Sequence, residues 1–297
     1  MEIRNIKTFI RAAETGNFTK TAEELGYSQG TVTLQIKQLE TELGVPLFNR
    51  TGKRIELSEK GREFMNYACS IVRTEAEARS AMESKTEIKG MLAVGMIESV
   101  SSFYYREIIE QFVTLYPEAK LIVKIATTVE LMDMLKKGML DVIVIYDRKI
   151  HNDSWECPVS IREPLKFFAG NKNRFSGKSV NLRELDRENF ILTEKGCTYR
   201  KVIDDFIAAR SIELDWSLDI GDTRAIIDFV SKDMGISLLP EYCIAEYLER
   251  GDICEIYVED FEAELYLQVI YDRRKWMSPV KNAFVELCRG KQKNIIR

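Results

Sequence analysis

The sequence predicts an α/β chain in three parts: an N-terminal winged helix-turn-helix, one long linker helix, and a two-lobed domain. Three observations carry this reading. Apolar stripes at helical spacing, punctuated by Gly16, Gly26 and Gly44, fill the start of the chain. A single helical pattern then runs from Ser58 to about Lys85. Beyond Lys89, extended apolar runs alternate with helical ones, an order that favours right-handed β-α-β units around a mostly parallel sheet.

The first helix is expected over 3–14, with Ile6, Phe9, Ile10 and Ala13 on one face and a stop at Gly16. A second follows Asn17 and turns Ala22 and Leu25 inward. Ser28 is placed to cap a third, on which Val32, Ile36, Leu39 and Leu43 form an apolar stripe that leaves Gln29, Thr31, Thr33, Gln35 and Lys37 outside it. Leu47 and Phe48 read as inward-facing. Arg50-Thr51-Gly52-Lys53-Arg54 then reads as a polar turn between short extended pieces ending at Ile55 and Leu57, the layout of a wing.

The linker pattern carries Ala68, Ile71, Val72, Glu75, Ala78 and Met82, and at 1.5 Å per residue it would be roughly 40 Å long. That length suits a helix that dimerises through an apolar seam. Strands are expected at 91–96, 120–125, 141–145, 165–170, 189–193, 217–220, 236–240 and 265–270. Helices are expected at 104–115, 131–137, 199–209, 223–231 and 279–289, the last strand and helix returning the chain to the first lobe.

Composition narrows the function classes. The chain is 45% hydrophobic and 30% charged, with a formal net charge of −4, which argues against nucleic-acid coating by the whole molecule. Residues 1–90 hold 14 Lys/Arg against 13 Asp/Glu, whereas residues 91–297 hold 29 against 34. A nucleic-acid contact would therefore depend on a local group, and Arg50, Lys53 and Arg54 supply one. The six cysteines are scattered without a C-x-x-C pair, so neither a zinc cage nor a disulfide framework is expected. No apolar stretch is long enough to span a bilayer and no apolar leader precedes the first helix, so a cytoplasmic location without membrane contact is expected.

The N-terminal run Phe9-x-x-Ala12-Ala13-x-x-Gly16-Asn17-Phe18-x-x-x-Ala22-x-x-Leu25 continues as Ser28-Gln29-Gly30-Thr31-Val32-Thr33-x-Gln35-Ile36-x-x-Leu39-Glu40-x-x-Leu43-Gly44-x-x-Leu47-Phe48-x-Arg50. It closely resembles the LysR-type family of transcriptional regulators over about 60 residues, and the later strand and helix order is compatible with that family's effector domain. The family often has Pro-Ala or Pro-Ser after the Ser-Gln pair, where this chain has Gly30-Thr31, and a serine at the position of Thr33. Gly30 gives up the φ that proline would preset in the first helical turn. The resemblance implies a DNA-binding domain at 1–58, a dimerisation helix at 59–88 and a periplasmic-binding-protein-like effector domain at 89–297. Lobe I of that domain would comprise about 89–162 and 268–297, and lobe II about 163–267. It further implies dimers that pair into tetramers on an inverted-repeat operator in double-stranded DNA.

Gln29, Thr31, Thr33 and Gln35 are the expected base-reading set, because glutamine can pair both edges of adenine and threonine offers a hydroxyl or a methyl. Arg50, Lys53 and Arg54 are expected at phosphates or in the minor groove. A small-molecule cleft is expected where strands end and helices begin. The resemblance places one wall at Ser99, Val100, Ser101 and Ser102, after the first strand of the effector domain, and another near Thr127 and Thr128, with Thr193 and Cys197 across the cleft. Hydroxyls and helix-start amides there suit an anionic or polar ligand.

Two other readings compete. Lys195 and Arg200 would favour a Cys197 thiolate and hence a redox-responsive regulator, although the His-Cys pattern of the family's peroxide sensors is missing from this sequence. An α/β enzyme or a solute receptor would also own a cleft, but the sequence has no Gly-x-Gly-x-x-Gly loop, P-loop or His-Glu-x-x-His motif, and no cofactor is expected. His151 is expected at the surface.

Overall fold

The computed structural model describes residues 1–295 apart from 52–53, 83–87, 211 and 213–214. The chain divides into two compact units, one of residues 1–87 with 136–139 and one of residues 88–135 with 140–297.

In the first unit, helix α1 (Ile3–Thr15) ends at Gly16, whose φ of 64° a side chain would strain. Helix α2 (Phe18–Leu25) starts on the Asn17 side chain, which accepts from the Thr19 and Lys20 amides. Helix α3 (Gln29–Leu43) starts on Ser28, whose hydroxyl accepts from the Thr31 amide. Strands β1 (Phe48–Thr51) and β2 (Arg54–Leu57) pair antiparallel to form the wing. Phe9 sits at the centre of the core, 5.3 Å from Phe48 and 5.2 Å from Phe64 between ring centroids.

The wing is anchored at its root. Glu40, on α3, accepts from the amides of Leu47 and Phe48 at 2.7 and 3.3 Å, and the Gly16 carbonyl accepts from Ile55. Helix α4 (Glu59–Met82) leaves the wing through Ser58, whose hydroxyl donates to Pro46 and accepts from Gly61.

The expected seam on α4 is corrected in part. Ala68 is buried, and Phe64, Met65, Ile71 and Val72 pack against the core of this same unit, while Lys7 pairs with Glu75 at 3.0 Å. The reason is size: three helices and a two-stranded wing cannot close their own core, so α4 supplies a wall. Tyr67, 60% exposed, stands on its open side.

The second unit contains two sheets. In the first, the order is β4 (Ala119–Ile125), β3 (Gly90–Met96), β5 (Val142–Asp147), β13 (Tyr266–Asp272) and β6 (Trp155–Arg162). β3, β4 and β5 run parallel, and β13 is antiparallel to both its neighbours. β5 is buried almost throughout, as expected of a strand covered on both faces. Helices α5 (Arg106–Leu115), α6 (Thr128–Lys136) and α10 (Pro279–Ile295) belong with this sheet, and a π-helical turn at Val100–Tyr104 precedes α5.

The second sheet has the order β10 (Asp215–Asp219), β9 (Asn189–Leu192), β11 (Ile236–Pro240), β7 (Leu165–Ala169), β12 (Cys254–Val258) and β8 (Ser179–Val180). Helices α7 (Thr198–Arg210), α8 (Thr223–Ser231) and α9 (Glu241–Glu249) accompany it. The chain passes from the first sheet to the second at Glu163-Pro164 and returns near Leu265, where the Glu163 amide donates to the Leu265 carbonyl at 3.1 Å.

A Cβ placed on Gly61 would lie 2.0 Å from the Leu47 carbonyl oxygen, the same oxygen that accepts from the Ser58 amide. Gly61→Ala must therefore move backbone, and thermal unfolding is expected to show a loss of about 1–3 kcal/mol. An unaltered melting temperature would mean that the turn relaxes freely.

Candidate functional site

The outward face of α3 is built by subtraction from its inward one. Val32, Ile36 and Leu39 are buried, which leaves Gln29, Gly30, Leu34 and Lys37 exposed in a row at helical spacing. Thr31 and Thr33 are half-buried. The Thr31 hydroxyl shares a hydrogen bond with Ser28 at 2.9 Å, and the Thr33 hydroxyl donates back to the Gln29 carbonyl at 2.9 Å.

Gln35 corrects the sequence reading. It is only 6% exposed and accepts from the Thr8 hydroxyl at 2.7 Å, so it joins α3 to α1 instead of facing outward. Its position beside Ile36 puts it on the core stripe, where a buried amide needs a polar partner and α1 offers one. Leu34, 55% exposed, was overlooked because an apolar residue in an amphipathic helix is assigned to the core by default. The backbones of Arg50 and Arg54 lie in β1 and β2, and Lys53 lies outside the described residues.

In the second unit a cavity of about 260 Å³ opens between the two sheets. Its walls are strand ends and helix starts: Ile97, Glu98 and Ser99 after β3, Ile125 to Thr128 between β4 and α6, Thr193 and Glu194 after β9, and Gly221 and Thr223 before α8. Of the expected residues, Ser99, Thr127, Thr128, Thr193 and Cys197 line it. Val100, Ser101 and Ser102 do not, because the π-helical turn starts immediately after Ser99 and carries them away, Val100 into the core. Glu130, Gly221 and Thr223 line it without having been expected. The signal for Thr223 was present, since Gly221-Asp222-Thr223 repeats the strand-end, helix-start pattern of the other walls.

Hydrogen bonds cross this cleft. Ser99 meets the Tyr242 hydroxyl at 2.9 Å, Thr128 meets Thr198 at 3.5 Å, and Arg224 donates to the Ser102 carbonyl at 3.1 Å. Glu98 takes the Ser102 hydroxyl at 2.8 Å on its own side and the Thr223 hydroxyl and amide from the opposite one. Apart from the Ser102 bond to Glu98, each of these joins the first sheet's side to the second sheet's side, so lobe separation costs several polar contacts at once.

Cys197 meets electrostatics opposite to those a thiolate needs. Burial and the neighbouring Glu194 push its thiol up to about 11, against hydrogen bonds from Tyr199 and Thr193 that favour the ionised form. The Arg200 guanidinium is buried and engaged with Asp204, Asp219 and the Thr193 carbonyl. His151 is exposed.

Residues 3–62 match the model described as bacterial regulatory helix-turn-helix protein, lysR family, and residues 85–293 match LysR substrate binding domain. The chain belongs to the LysR family. An uncharacterized HTH-type transcriptional regulator of Bacillus subtilis, YwqM, is 34% identical to this LysR-family chain across 97% of it and 99% of the relative. The RuBisCO operon transcriptional regulator of Allochromatium vinosum is 27% identical over 96% of this chain and 95% of its own.

Among solved structures, a full-length OxyR variant from Pseudomonas aeruginosa superposes with a TM-score of 0.72 at 20% identity, covering 97% of this chain and 95% of that one. CbnR complexed with its target DNA gives 0.68 at 24% identity, covering 97% and 99%. Both likenesses show the LysR fold. This LysR-family chain is thus a DNA-binding transcriptional regulator with a LysR-type effector-binding domain, and such regulators generally bind DNA and small-molecule effectors and oligomerise. No helix among the described residues is long and apolar enough to cross a membrane.

The inter-lobe crossing adds a pH dependence. Burial, and then the charge of Glu241, push the Glu163 carboxyl from the ordinary 4.5 up to about 7, although the Tyr242 amide donates to it. Between those values the folded chain keeps a proton that the unfolded chain has released, so stability falls as pH rises through that window. Glu163→Gln is expected to flatten this slope in melting temperatures taken from pH 4.5 to about 7. A parent and variant with parallel slopes would assign the titration to another group.

Proposed function

We propose that this LysR-family regulator reads an inverted-repeat operator through the exposed row of α3 and answers to a small molecule held between its lobes. The observation that carries the DNA half is the row itself: Gln29, Leu34 and Lys37 are exposed together on the side of α3 away from its core. Gln29 is assigned to an adenine edge, the Thr33 methyl and Leu34 to thymine methyls, and Lys37 to a phosphate. Arg50, Lys53 and Arg54 are assigned to the backbone or minor groove beside the wing, as that position on the fold suggests.

Dimers, pairing into tetramers, would present two such rows. Tyr67 on α4, Ile122 on the edge strand β4, and Trp216 on the edge strand β10 are exposed apolar side chains that self-association would cover. The effector half rests on the cavity at the strand ends, where Ser99, Thr128 and Thr193 converge. A molecule bound there acts on DNA only through unequal affinity for two lobe or subunit arrangements.

Selection of genomic fragments with the purified chain tests the reading. Enrichment of a two-fold symmetric site is expected, and Gln29→Ala should weaken that site about tenfold more than a scrambled duplex. Equal losses on both duplexes would move Gln29 out of base reading. Replacing the contacted thymine by deoxyuridine, which lacks the methyl, should cost the parent about fourfold in affinity, the effect of one buried carbon. The Leu34→Ala variant should not register the change, and an equal penalty in both proteins would place the methyl elsewhere.

A further inference from the structure

We infer that the effector of this regulator is a small organic cation, its ammonium held by Glu194 and its alkyl part laid along Ile97 and Ile125. The inference rests on the inter-lobe cavity being the effector site and adds the charge and class of what enters it.

The cavity has a one-sided charge. Glu98, Glu130 and Glu194 line it, whereas no lysine, arginine or histidine does. The carboxylates of Glu98 and Glu130 are hydrogen-bonded by neutral donors: Ser102 and Thr223 for Glu98, and the Thr127 amide and hydroxyl at 2.9 and 2.8 Å for Glu130. Those bonds fix the two carboxylates in place and leave their negative charge uncancelled. The same bonds from Thr127 hold Glu130 below the usual carboxylate range.

Glu194 differs from both. Its carboxylate lies against the backbone of Gly221, where an added Cβ would be 3.0 Å from it, and it has no hydrogen bond or ion pair among the described residues. Both residues line the cavity, so a carboxylate with open lone pairs stands on its rim.

The surrounding cations are engaged or stand off the wall. Arg200 is turned to Asp204, Asp219 and the Thr193 carbonyl. Arg224 donates to Ser102 and stacks over Phe103 at 5.4 Å. Lys124 acts on Glu130 only through space, and Lys195, next in the chain to Glu194, is exposed and does not line the cavity.

Helix starts supply the opposing term. α6, α7 and α8 begin at the cavity, and each helix end is equivalent to about half a positive charge. Three such ends offset roughly half of three full negative charges, so the balance in this concave site stays negative. An anionic effector would therefore meet net repulsion where the hydroxyl-rich lining alone suggests a welcome. The rest of the lining is apolar enough for methylenes, and about 260 Å³ accommodates only a few carbons.

The test is calorimetric titration of the full chain with four compounds of equal chain length and different charge: butylamine, putrescine, butanediol and succinate. Both amines are expected to bind, more weakly as salt is raised, and the diol and succinate are not. Glu194→Gln, close in shape but uncharged, should reduce amine affinity about tenfold, while Thr128→Val reduces it through the opposite wall.

Preference for succinate, or amine affinity unchanged in Glu194→Gln, overturns the charge assignment. So does the failure of both amines to bind a chain whose folding is verified by circular dichroism. Succinate binding that Thr128→Val weakens would keep the cleft as the effector site and remove only the cation. Amine binding indifferent to both variants would remove the cleft as well.

Discussion

Two strands of chain join the lobes of the second unit, and the hydrogen bond from the Glu163 amide to the Leu265 carbonyl fastens them side by side. The cleft depends on this crossing. β5, buried at all but its last residue, ends at Asp147 beside it, and the Tyr146 hydroxyl donates to the Glu163 carbonyl at 2.9 Å, so the core of one lobe is tied directly to the hinge. On the far side Lys166 spans Glu241 and Glu255 at 2.9 Å each, fixing β7 and α9 where they emerge. Two adjacent connections of this kind have the arrangement of a hinge, with the polar contacts of the cavity facing each other beyond it.

The same economy explains the ring of threonines and serines around the cleft. A residue at a strand end that also starts a helix must satisfy free amides, and a short hydroxyl side chain does so locally. Once two lobes are packed mouth to mouth, hydroxyls also lie opposite one another, as Thr128 and Thr198 do, while the neighbouring Thr127 and Asp222 take the free amides at the starts of α6 and α8.

Much of this was legible in the sequence because the controlling signals are local. Helical spacing with glycine stops set α1 to α3, and the apolar run at 141–145 marked β5. β6, β12 and α9 were not expected: β6 opens with Trp155, Glu156, Cys157 and Pro158, too polar and irregular for a strand pattern, and is made a strand by pairing with β13. α10 runs on past Gly290 to Ile295, since its buried residues, among them Phe284 and Cys288, anchor it where glycine would otherwise end it. At the sites, Gln35 is expected outward and lies buried against Thr8, and Leu34 is left out of the expected set although it is exposed. Binary patterning cannot know that Thr8 waits under Gln35, nor that the surface facing Leu34 is open. Glu98 and Thr223 are separated by most of the domain in sequence, and only the folded chain brings them together.

The wing root holds one more consequence. Glu40 grips the wing from α3 while Gly16 grips it from the end of α1, so helix and wing keep a fixed spacing and approach a duplex as a single rigid body. A rigid reader cannot adjust to the groove it meets. Any misfit would then fall on the nucleic acid, where steps that bend or narrow at little elastic cost deform most readily even if no side chain reaches a base.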